Sequence, residues 1–79
     1  MTAAEVVAAL GERGLTIATA ESLTGGFVAD ALVSIPGASA VYVGGVVAYA
    51  TRLKAALLGV DADLLAREGA IHPLVAEQM

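Results

Sequence analysis

Apolar positions along the chain follow a helical period, then a strand period, then a helical period again. Ala3, Val6, Val7 and Leu10 recur at helical spacing. Thr2-Ala3-Ala4-Glu5 ahead of them reads as a capping box, the Thr2 hydroxyl over the first turn and Glu5 reaching back. Gly11 weakens the end of this helix and Gly14 suits the place just beyond it, so the pattern predicts a helix over residues 3–13. Leu15 to Ala20 alternates, with Leu15, Ile17 and Thr19 on one side and Thr16, Ala18 and Ala20 on the other. The second set is small rather than strongly polar, which suits a strand covered on both faces. After a polar turn, Phe27, Val28, Ala31, Leu32 and Ile35 line one face of a second helix, and Pro36-Gly37 turns the chain.

Ala40 to Ala50 is β-branched and apolar on both faces, predicting one or two strands with Gly44-Gly45 as a bulge or a point of close approach. Thr51 is placed to cap a short helix through Leu58, with Gly59 closing it. Asp61 caps a helix over residues 62–68 that Gly69 stops, and His72-Pro73 starts a last one running to Met79. The order is α-β-α-β-α-α-α. Two strands do not usually make an independently stable sheet. The expectation is therefore one partial domain over residues 1–79, its sheet completed by a missing C-terminal half or by a second copy.

Composition sharpens this reading. Seventy-nine residues hold one domain at most, and a chain so short buries only ~60% of its unfolded surface. Apolar residues make up 58% but aromatic ones 4%, so the core must be Ala, Val and Leu. There is no cysteine and one histidine, which excludes disulfides and thiolate or multi-histidine metal sites. The net charge is −4 and the four cations Arg13, Arg52, Lys54 and Arg67 are scattered, so no basic patch suggests nucleic acid as a partner. Residues 31–51 carry no charge and are long enough to cross a bilayer, but Pro36-Gly37 and Gly44-Gly45 interrupt them and no basic flank orients them. The N-terminus lacks a basic segment ahead of an apolar one. A cytoplasmic location with no membrane partner is expected.

Candidate chemistry concentrates in Thr19-Ala20-Glu21-Ser22-Leu23-Thr24-Gly25-Gly26, a strand end, polar turn and helix start. Open α/β sheets place ligands at such strand ends, and N–H groups at a helix start favour anions. Ser22 and Thr24 are equally ordinary helix starters, and turn chemistry accounts for both hydroxyls. Glu21 can orient a hydroxyl or a ligand, or be a solvated turn residue; solvation is the commoner case. Gly25 and Gly26 let a ligand approach the backbone, or let the helix pack tightly on the sheet. Tyr49 should emerge at the same strand edge. Lys54 lies in the first turn of the next helix, where a cation opposes the helix dipole. Held there away from water it could act as a base, although a lone lysine is more often a surface residue.

Ala18-Thr19-Ala20-Glu21-Ser22-Leu23-Thr24-Gly25-Gly26, then Ile35-Pro36-Gly37-Ala38-Ser39, Gly44-Gly45-Val46-Val47-Ala48-Tyr49, Lys54, Leu57-Leu58-Gly59-Val60 and Gly69-Ala70 resemble the CinA C-terminal family. These are bacterial competence/damage-inducible proteins that include nicotinamide-nucleotide amidohydrolases. The resemblance implies a three-layer α/β/α domain with a mixed, mostly parallel sheet, incomplete here. It implies hydrolysis of the carboxamide of nicotinamide mononucleotide to ammonia and nicotinate mononucleotide, with a small-molecule nucleotide substrate and no metal or redox cofactor. It casts Ser22 as the nucleophile, Lys54 as its base and Tyr49 as a neighbour orienting lysine or substrate. Thr24, Gly25 and Gly26, with Glu21, would bind substrate, the glycine N–H groups serving either an oxyanion or the phosphate. Leu23, Thr51 and His72 depart from the family's usual cysteine, asparagine and serine, and its later Thr-Gly-x-Ala-Gly-Pro segment is not in this sequence. A non-catalytic nucleotide-binding or structural module of the same fold is the alternative.

Overall fold

The first helix, α1, begins where its cap puts it. In the computed structural model, which describes all 79 residues, the Glu5 N–H donates to the Thr2 hydroxyl oxygen at 3.1 Å. The Thr2 N–H donates to Glu5 Oε1 at 3.2 Å. Two N–H groups that the helix cannot satisfy itself are thus matched. α1 spans Ala3–Glu12 and ends in a Schellman motif, with Gly14 N–H bonded to Gly11 O and Leu15 N–H to Leu10 O.

The chain forms two units, Met1–Val47 and Ala48–Met79. In the first, α1 is followed by β1 (Ile17–Glu21), α2 (Phe27–Val33), a short 3-10 turn over Ala38–Ala40, and β2 (Tyr42–Val47). β1 and β2 pair in parallel as a two-stranded sheet. Ile17 lies opposite Tyr42 but Ala18 lies opposite Gly44, so Val43 is the extra residue of a bulge. Gly44 follows at φ 150, a conformation open to glycine. Beyond the bulge Thr19 pairs with Gly45. There a Cβ would fall on the Thr19 hydroxyl, 2.6 Å from the Tyr42 hydroxyl and 2.9 Å from the Thr19 carbonyl oxygen. The two hydroxyls bond to each other at 2.8 Å. Gly44-Gly45 is thus both a bulge and a close approach. The core of this unit is Val7, Leu32, Ala38 and Val41, flanked by Ala3, Val6, Leu10, Ile17, Ile35 and Tyr42.

The second unit is helical: α3 (Thr51–Leu58), α4 (Ala62–Glu68) and α5 (Pro73–Gln78) around Val60, Leu64, Leu65 and Val75. Asp61 Oδ1 accepts the Asp63 N–H at 2.9 Å and His72 Nδ1 accepts the Leu74 N–H at 3.1 Å, as capping predicts.

Several expectations change. Ala18 and Ala20 are exposed rather than covered, because the helices of this unit pack on the face that carries Ile17. α2 stops at Val33, since Ile35 precedes Pro36 and is pushed out of helical geometry. Phe27 is 70% exposed. It stands five residues before the buried Leu32, about 140° around the helix. β2 ends at Val47, the partner of the last β1 residue, Glu21, so Tyr49 lies beyond the ladder. Thr51 is the first helical residue rather than the cap; Ala50 is the cap, in extended conformation, and its carbonyl accepts the Leu53 N–H at 3.0 Å. The chain is nevertheless α/β with an incomplete parallel sheet, as expected.

Two glycines in this unit predict opposite outcomes. Gly45→Ala forces a methyl onto Thr19 and Tyr42 and lowers unfolding stability by about 1–3 kcal/mol. Gly11→Ala, inside α1 with Val41 Cγ1 3.8 Å from the new methyl, raises it by about 0.4–1 kcal/mol. Urea unfolding of both variants reads the two signs directly.

Candidate functional site

The alternation of β1 carries Ile17, Thr19 and Glu21 to one face, and the last of these is 5% exposed. The solvated glutamate that a turn usually shows is therefore not found. A buried carboxylate needs hydrogen-bond partners, and the turn and the start of α2 supply them. The Thr24 hydroxyl donates to Glu21 Oε1 at 2.7 Å. The Val28 N–H donates to the same oxygen at 2.9 Å, and the Ala29 N–H donates to Oε2 at 3.0 Å. The Thr24 hydroxyl is the largest influence holding the Glu21 carboxyl below its ordinary value of 4.5. Burial pulls the other way, and the N–H groups of Val28, Ala29 and Gly26 add to the lowering. Gly26, at φ 105, heads α2 without a side-chain cap of its own. Glu21 takes that office from five residues upstream, an anion where the helix end favours one.

Backbone bonds within the turn and the start of α2 complete the arrangement. The Gly25 N–H donates to Ser22 O at 3.0 Å and closes the turn. The Phe27 N–H donates to Thr24 O at 3.0 Å, and the Asp30 N–H to Gly26 O at 2.9 Å. The N–H groups of Gly25, Phe27, Val28, Ala29 and Asp30 each have an acceptor inside the chain. The Thr24 hydroxyl likewise points to Glu21, and Glu21 has its own oxygens engaged. Ser22, half-buried, is the first residue beyond β1, carried on the turn so fixed.

In the second unit Lys54 is 2% exposed, not the surface lysine that base rates favour. Its Nζ donates to the Ala48 carbonyl at 2.9 Å and to the Tyr49 carbonyl at 3.3 Å. Tyr49 thus meets the lysine through its backbone, while the residue itself is 70% exposed. The Ala48 carbonyl is a partner that sequence reasoning missed, since a backbone oxygen has no sequence signature. Glu21 as a cap was missed too, although its place two residues beyond Thr19 and four beyond Ile17 in the alternation was a usable signal. Neither unit gathers three or more His, Asp or Glu side chains into a metal-binding group. No helix is long and apolar enough to cross a membrane.

A parallel strand, a carboxylate-held turn and a helix, with a serine just past the strand's C-terminal end, are the parts of an α/β domain. The chain belongs to the CinA C-terminal domain family, whose model matches residues 1–79. A CinA-like protein of Frankia casuarinae is 51% identical over 74 residues, 94% of this chain and 17% of the relative. One from Anaeromyxobacter is 53% identical over 74 residues, covering 94% and 18%. Among solved structures, the competence/damage inducible protein CihA from Agrobacterium tumefaciens superposes with a TM-score of 0.95 at 40% identity. That match covers 98% of this chain and 47% of the other. The competence damage-inducible protein A (ComA) from Klebsiella pneumoniae gives 0.92 at 38% identity, covering 96% and 47%. The chain thus spans under a fifth of these sequence relatives and about half of these solved chains.

The lowered Glu21 carboxyl sets the sign of an acid effect. A group whose folded value lies below its ordinary one contributes in full above that ordinary value, and the contribution is lost as pH falls through the folded value. Unfolding followed from neutral pH down to about pH 2 should show wild type losing stability below about 4.5. Glu21→Gln should start less stable at neutral pH and have a shallower acid limb. Parallel acid limbs in the two proteins would contradict the assignment.

Proposed function

We propose that this chain carries part of the site of a cytoplasmic nicotinamide-nucleotide amidohydrolase, with Ser22 as the nucleophile. The observation that carries the reading is the place of Ser22 in a CinA C-terminal domain: the first residue past a parallel strand, on a turn locked at both ends by Glu21. An amide carbon needs a nucleophile stronger than water, and a serine deprotonated by an uncharged lysine supplies one. In this reading the Ser22 oxygen attacks the carboxamide carbon of nicotinamide mononucleotide and gives its proton to a general base, the role in which the family resemblance casts Lys54. The tetrahedral intermediate collapses, and the leaving nitrogen takes the proton and departs as ammonia. Water then cleaves the Ser22 ester, releasing nicotinate mononucleotide. Since the Gly25 N–H is engaged within the turn, the N–H groups of Leu23, Thr24 and Gly26 are the turn's candidates for the oxyanion. The remainder of the domain, or a second copy of the chain, completes the sheet.

A second reading has its own support. Lys54 Nζ is tied to two backbone carbonyls, as in a lysine that serves structure, and the chain spans about half of its solved relatives. A nucleotide-binding module without turnover fits both facts.

Ammonia release from nicotinamide mononucleotide by the purified protein separates the two. In the enzyme reading Ser22→Ala lowers release at least about a thousandfold while the thermal midpoint holds. Lys54→Arg, which keeps donors for both carbonyls but does not act as a base, also loses it. Binding of the nucleotide by calorimetry without any release supports the module. Near-normal turnover in Ser22→Ala removes Ser22 as the nucleophile.

A further inference from the structure

Ser22 is joined to Glu21 by one peptide bond, so its Cα lies about 3.8 Å from that of Glu21. The backbone of Glu21 is held in the ladder opposite Val47. Its carboxylate is held by Thr24 within the turn and by Val28 and Ala29 in the first turn of α2. The five residues Ser22 to Gly26 are therefore spanned by one side chain. Two of the five are glycines at positive φ, Gly25 at 61 and Gly26 at 105. Glycine leaves a turn loose. Beyond the backbone bonds that close it, the carboxylate stiffens it, because hydrogen bonds to a charged acceptor are stronger than those between neutral groups. No acceptor oxygen of Glu21 is left idle: Oε1 takes two donors and Oε2 at least one.

We propose that Glu21 is the positioning residue for Ser22, fixing the turn that presents the nucleophile, and is not a ligand for substrate. This rests on the reading of Ser22 as the reacting hydroxyl. Reactivity is sensitive to such placement, since a displacement of about 1 Å at the reacting atoms can lower a rate by about 10². A residue that bound substrate would act on KM. A residue that holds the nucleophile acts on kcat.

The test compares wild type, Glu21→Gln and Glu21→Asp in the purified protein, each checked for folding by circular dichroism. In Glu21→Gln one donor of the pair Val28 and Ala29 loses its acceptor, so its amide exchange quickens by about tenfold. The Ser22 amide and Cβ resonances move as well. For ammonia release kcat falls about 10–100-fold per folded molecule while KM stays within about twofold, and Glu21→Asp, which keeps the charge, recovers part of kcat. A rise in KM at constant kcat makes Glu21 a substrate ligand and overturns the proposal. So does a lowered thermal midpoint with kcat per folded molecule unchanged. If wild type releases no ammonia, the amidohydrolase reading fails by itself. The resonances then decide: unmoved Ser22 signals in Glu21→Gln overturn the positioning role, and shifted ones sustain it.

Discussion

The Glu21 carboxylate is one anion doing three jobs. It ends β1, it closes the turn through the Thr24 hydroxyl, and it satisfies N–H groups that α2 cannot match within itself. Removing the charge would leave a buried oxygen pair against a helix start built to receive it. The turn glycines depend on this arrangement as well. Gly26 can stand at φ 105 with no cap of its own because the cap arrives from the strand. A small domain without disulfides and with few aromatic side chains gains definition from such a polar lock where its core is thin.

The same interaction redirects the chemistry of the motif. A strand, a turn with two glycines and a helix suggest an anion site, and the helix start is indeed occupied by an anion. The anion is the chain's own. In the amidohydrolase reading proposed above, substrate charge is therefore met outside this helix start. Lys54 shows a parallel economy: a buried amine whose Nζ is directed at backbone carbonyls of the segment just before its own helix.

Local signals were legible wherever a side chain acts on its near neighbours. The Thr2/Glu5 box, the Asp61 and His72 caps and the glycine helix stops could be read directly, and each helix starts or ends within a residue or two of its expected place. The bulge beside Gly44-Gly45 was legible from two glycines in a β-branched run. What failed needed partners distant in the chain. The exposure of Ala18, Ala20 and Phe27 depends on which face the helices cover, and the end of β2 depends on the length of β1. The turn that carries Ser22 was legible from the motif. The acceptor at the start of α2 was not, because a glutamate's reach across seven or eight residues to Val28 and Ala29 leaves no periodic trace.

The central claim is that an ionised Glu21 is bound by the turn and the start of α2. Carbon-13 NMR of its side-chain carboxyl, followed through an acid titration of the folded protein, tests it most directly. The account predicts a midpoint below 4.5, with the Val28 and Ala29 amide resonances shifting in step. A midpoint at or above 4.5, or amide signals of Val28 and Ala29 that ignore the titration, would contradict it.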